Sequence, residues 1–163
     1  DKIYMERGGG GNSYESYSAA WLFGLKQTKL DCYDKQGKKG IIITMGDEPL
    51  NPVLERHAVE GFLGDEAHVQ GNVETKKLYN EASKKFDIYH ISIDDHSTCY
   101  SSYKDRIENT FGQLLGDRAK VASIDALPNV IEACISETIA ARNGGAGVLN
   151  EEAKTKPDGT ITW

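Results

Sequence analysis

Three consecutive isoleucines, Ile41 to Ile43, run into Thr44-Met45-Gly46-Asp47 out of a polar, basic stretch. A β-branched run of this kind favours extended backbone, and without apolar–polar alternation the strand must be covered on both faces. Ile88-Tyr89-His90-Ile91, with Ile93 beyond, has the same character, and Val121 to Ile124 makes a shorter third run. Strands of this kind belong to parallel sheets, whose neighbours are joined by long, usually helical crossovers.

The intervening segments have helical periodicity. Ser13 is placed to cap a first helix, with Glu15 in its first turn and Tyr17, Trp21 and Leu25 as its apolar stripe; the stretch from Thr28 to Lys39 is polar, with Gly37 as a stop. Val53 to Leu63 predicts a short helix ending near Gly64, and Gly71-Asn72 is a break. Leu78, Ala82 and Phe86 mark another helix, as do Tyr103, Ile107, Phe111 and Leu114, the latter closed by Gly116. Asp125 is placed to cap a last helix with Val130, Cys134 and Ile135 facing inward, and the pattern fails at Asn143-Gly144-Gly145. Helices alternating with buried strands predict an α/β fold: a parallel sheet with flanking helices, in three layers. Residues 1–142 form the domain in this reading, and 143–163, poor in apolar residues, form a tail or arm.

Composition narrows the function. A chain of 163 residues can bury one core without disulfide staples, and its net charge of -6 argues against a nucleic-acid partner held by counterion release. No apolar run is long enough to cross a membrane, so no membrane partner is expected. Cys32, Cys99 and Cys134 are odd in number and widely spaced, which fits a reducing, cytoplasmic setting. No secretory leader opens the chain, and a start at Asp1 rather than methionine predicts a fragment of something longer.

In parallel α/β sheets ligands bind beyond the carboxyl ends of the strands, where loops converge. Two segments are candidates for that rim. Asp47 and Glu48 follow the triple-isoleucine strand, with Gly46 letting the backbone turn; and Gly8-Gly9-Gly10-Gly11-Asn12-Ser13 runs into the first helix, whose amino end offers unpaired N–H groups. No Gly-Lys-Ser/Thr follows the glycines, which excludes a P-loop.

Together, Gly8-Gly9-Gly10-Gly11-Asn12-Ser13-Tyr14-Glu15 and Met45-Gly46-Asp47-Glu48-Pro49 resemble the von Willebrand factor A family, and most closely a bacterial and phage-type branch of it. The resemblance implies a Rossmann-type three-layer fold of which this chain carries the later part, incomplete at its amino end. It also implies a metal-ion-dependent adhesion site: Asp47 would hold a magnesium ion, with manganese or calcium as alternatives, and Asn12 or Ser13 would stand where the family has a threonine. Gly10, Gly11, Glu15, Gly46 and Glu48 would form the surrounding rim. A hard cation suits such oxygen donors and keeps an open position for an acidic side chain of a protein partner. The chain departs from the family in one respect. The family's first metal-binding element, Asp-x-Ser-x-Ser, is absent; Asp94-Asp95-His96-Ser97-Thr98 has the wrong spacing and position, so metal binding is conditional on a motif upstream.

Other readings stand beside this one. Asp47 alone reads equally as a turn or helix-capping aspartate, and Glu48 as its solvated neighbour. His96 and Cys99 have a spacing zinc could use, but lack a second pair. His90 reads as a hydrogen-bonded core or rim residue, Cys134 as inert packing, Cys32 as unactivated, and Tyr14, Tyr17 and Trp21 as core. The expected function is non-enzymatic partner binding; the alternatives are a metal-free assembly subunit, or a hydrolase using Asp47, Glu48 and His96.

Overall fold

The computed structural model describes residues 14–64 and 71–144, apart from the Phe62 side chain. The order is α1 (Ser18–Gln27), α2 (Asp31–Gln36), β1 (Gly40–Gly46), β2 (Val53–Leu54), α3 (Arg56–Leu63), β3 (Val73–Glu74), α4 (Thr75–Lys85), β4 (Phe86–Ile93), α5 (Tyr100–Leu115), a 3-10 turn (Gly116–Arg118), β5 (Ala119–Ala122) and α6 (Leu127–Arg142). The α/β expectation is met. β1, β4 and β5 form a three-stranded parallel sheet in that order, with Gly40 opposite Phe86, Gly46 opposite Ser92 and His90 opposite Ala119.

Alternation along β4 separates the layers. Phe86, Ile88 and His90 face α1, α4 and α5, where Trp21, Leu78, Ala82, Ile107 and Phe111 complete the main core. Asp87 and Tyr89 face α6, and the Tyr89 hydroxyl meets that of Thr138 at 2.8 Å. Phe86 belongs to β4 rather than to the preceding helix because it fills the space left by two glycines. A Cβ on Gly24 or on Gly40 would come within 3.2 or 2.9 Å of its ring.

Several local expectations are corrected. The stretch taken as polar connection contains α2, which buries no residue and so has no apolar stripe to reveal it; Gly37, at φ +67°, closes it by donating to the Tyr33 carbonyl. Val53 and Leu54 are strand rather than helix, paired antiparallel with Val73 and Glu74. That pairing brings Asn72 to the start of α3, where its side chain accepts the Arg56 N–H at 3.0 Å. β5 starts two residues earlier than expected, leaving Ile124 beyond it and 53% exposed. Ile135 points outward, 39% exposed, whereas Cys134 is fully buried. Asp125 does not cap α6; the Ser123 hydroxyl accepts the Ala126 N–H instead, at 3.3 Å. α1 begins at Ser18, with no side-chain cap; the expected cap Ser13 lies outside the described residues. The boundary at 142 coincides with the end of α6, and residues 145–163 of the expected tail also lie outside them. No described helix is long and apolar enough to cross a membrane.

Candidate functional site

At the carboxyl end of the sheet, β1 releases Asp47 and Glu48 while β4 beside it releases Asp94 and Asp95, so parallel pairing alone draws acidic side chains to one rim. Asp47 Oδ2 accepts the backbone N–H of Cys99 at 2.6 Å, directly before α5. The amino end of a helix has N–H groups with no partner inside the helix and a partial positive charge, and a carboxylate satisfies both. Asp47 therefore ties the end of β1 to the start of α5. Its Oδ1 has no hydrogen bond among the described residues.

The chain entering α1 reaches the same rim. Glu15 bridges to Leu50: its N–H donates to the Pro49 carbonyl at 3.0 Å, and its own carbonyl accepts the Asn51 N–H at 3.1 Å. Tyr17, two residues on, accepts the Glu48 N–H on its hydroxyl at 3.3 Å. A Cβ on Gly46 would stand 2.0 Å from that hydroxyl oxygen, so glycine here makes room for Tyr17 as well as for the turn. Burial, reinforced by the Glu15, Asp47 and Glu48 carboxylates, raises the phenol's pKa and keeps it protonated. Tyr17 is thus a rim residue that its place in a helical stripe did not disclose. Tyr14, expected in the core, lies 4.5 Å from the Arg106 guanidinium and is only half-buried.

Glu15, Gly46, Asp47 and Glu48 are therefore brought together, while Gly10, Gly11, Asn12 and Ser13 lie outside the described residues. His96 and Cys99 are exposed on the β4–α5 loop, where the His96 N–H bonds Asp95 Oδ1 at 2.7 Å. Among the described residues no three His, Cys, Asp or Glu side chains come together as a metal cluster, so this pair finds no further zinc ligands there.

His90 lies below the rim, fully buried, its ring stacked at 3.6 Å on Phe111. Thr44, its register partner, donates its hydroxyl to the Tyr89 carbonyl at 3.2 Å and stands 3.0 Å from His90 Nδ1. The Thr44 hydroxyl serves Nδ1 as acceptor or donor according to the tautomer and holds the ring in either neutral form. Nε2 is buried without a partner. Burial lowers the pKa from 6.5 to about 3, which fixes the neutral form.

A second polar cluster, at the amino end of the sheet, gave no motif in the sequence. Asp87, nearly buried on β4, accepts from Arg142 of α6 at 2.8 Å and pairs with Arg118 at 3.0 Å. Arg142 also donates to the Gly40 carbonyl at 3.2 Å. Asp87, Arg118 and Arg142, with Lys38 and Lys39, line a cavity of about 610 Å³.

No family model, no curated protein and no solved structure matches the chain.

Proposed function

We propose that this chain is a protein-binding module of the von Willebrand factor A-like kind, engaging an acidic side chain of its partner through a divalent cation at the Asp47 rim. The observation that carries the reading is the Glu15–Leu50 bridge, which anchors the chain leaving the glycine loop beside the strand end that bears Asp47. The donor set is of the right kind. Asp47 has one oxygen engaged and one without a partner among the described residues, and Asn12 and Ser13 would add amide and hydroxyl oxygens, as a hard cation that retains several waters requires. When bound, the cation supplies a point charge for the partner's carboxylate. The chain's own residues hold the rim: Tyr17 and Gly46 fix the turn, and Asp47 fixes α5 beneath it. β1 also supports a sheet that continues past it, because its isoleucine-rich edge has no strand partner among the described residues and none of the charges or prolines that usually blunt an edge.

One observation favours a second reading, a metal-free assembly subunit: the Asp47–Cys99 bond already gives the carboxylate a structural task. Magnesium titrated into the full-length protein, with thermal unfolding as readout, separates the two. The adhesion reading expects a rise in Tm of several degrees at saturating metal, abolished by Asp47→Ala. An unchanged Tm, with Asp47→Ala lowering it equally with and without metal, would replace that reading with the assembly one.

A further inference from the structure

The cavity at the amino end of the sheet lies away from the Asp47 rim, and its walls have opposite charge. Lys38 and Lys39 enter from the loop after α2, Arg118 from the turn before β5 and Arg142 from the last turn of α6. Asp87 is the one carboxylate among its lining residues. Four cations against one anion leave three positive charges in a chain whose net charge is -6. The carboxyl ends of α2 and α6 also border the cavity, and at about half a negative charge each they bring the excess to about two.

The cations differ in how firmly they are held. Asp87 fixes both guanidiniums, Arg142 is further tied to the Gly40 carbonyl, and Arg118 lies over the Tyr89 ring at 5.5 Å. Each arginine nevertheless stays about a third exposed, and a guanidinium has five N–H donors, more than these contacts use. Lys39 donates to the Ser83 carbonyl at 2.7 Å, whereas Lys38 has no ion pair among the described residues. A clamp whose only task was to hold α6 on the sheet would need the Asp87–Arg142 pair; it explains neither the second arginine, nor Lys38, nor the open volume. Ile139 lines one wall at 48% exposure, an apolar surface beside the charged one.

We propose that this cavity binds a small organic phosphate. A phosphate monoester carries about -1.5 to -2 charges at neutral pH and presents three acceptor oxygens, matching an excess of about two positive charges and a pair of preorganised guanidiniums. The volume lies within the range of small-molecule sites and exceeds what a bare phosphate fills, leaving the organic group against Ile139 and Ala141.

Phenyl phosphate and inorganic phosphate, titrated calorimetrically into the full chain at low ionic strength, test this. The expected result is saturable binding of both, phenyl phosphate several-fold tighter, with Arg118→Gln weakening both about tenfold as a charged hydrogen-bond donor is lost. Ile139→Ser should remove the advantage of phenyl phosphate and leave inorganic phosphate unchanged. Lys38→Gln, at an exposed position, serves if Arg118→Gln does not fold, and should weaken both ligands by a smaller factor. Absence of saturable binding by either ligand would overturn the proposal, as would binding that the folded charge variants leave unchanged. Preference for inorganic phosphate would overturn the assignment of the organic group.

Discussion

The two ends of the sheet solve opposite electrostatic problems with the same residue type. At the carboxyl end, Asp47 is half-buried, bonds one backbone N–H and keeps an oxygen without a partner among the described residues; at the amino end, Asp87 is nearly buried and both its oxygens are engaged by arginines. The acidic rim gathers carboxylates that partly satisfy a helix end, so added positive charge is welcome there. The basic end gathers cations around one carboxylate, so added negative charge is welcome instead. The comparison shows that the environment, not the aspartate, decides which charge gathers at each end of the sheet.

The largest effect expected on stability comes from neither end but from His90 between them. Its folded pKa of about 3 lies below the unfolded value of 6.5, so the unfolded chain takes up the proton first. Stability should be full above about pH 6.5, fall as the pH drops towards about 3, and stop falling from this cause below that; the limit is roughly 4–5 kcal/mol at about 1.4 kcal/mol per unit. Urea unfolding across this range should show the slope, and His90→Phe should flatten it while Thr44 keeps its bond to the Tyr89 carbonyl. An equally steep slope in the variant would move acid lability back to the carboxylates at the two ends.

Asp87→Ala sharpens the contrast between the ends directly. Removing the shared carboxylate leaves two partly exposed guanidiniums facing each other, with an expected loss of about 2–3 kcal/mol, below the range for a fully buried pair because water reaches both arginines. Denaturant melts of the variant check it. A loss under about 0.5 kcal/mol would show that α6 is held on the sheet by packing alone.

Asp47→Ala should have the smallest effect, about 1 kcal/mol, the usual value of a lost helix cap. Hydrogen exchange should rise at Cys99 and in the first turn of α5 while the amino end of the sheet stays protected. Greater loosening at the amino end than at the rim would reverse the comparison.

Much of this was legible in the sequence, and what was not has physical causes. The isoleucine run and Ile88 to Ile93 reveal themselves because β-branched residues favour extended backbone, although only β4 is buried on both faces while the isoleucines of β1 are half-buried, and Gly37 and Gly116 mark helix ends because both adopt positive φ. α2 has no buried side chain, and β2 and β3 are two residues each, too short for any periodicity. Asp47 could be singled out because it follows a strand directly. Tyr17 could not, since its reach to the Glu48 N–H depends on where α1 lies against the sheet. Asp87 gave no signal because its arginines come from elsewhere in the chain, Arg142 being 55 residues away.

Local chemistry by itself therefore determined the alternation of helices with buried strands, and with it a parallel sheet and an acidic carboxyl rim. Hydrophobic pattern and turn residues act over a few positions, so they can be read without neighbours. Only the tertiary structure decided that Asp47 caps α5, that His90 is sealed in neutral form against Phe111, and that Arg118 and Arg142 converge on Asp87. Those outcomes depend on register and on the placement of α1, α5 and α6. They are distances between residues far apart in the chain, which no local pattern encodes.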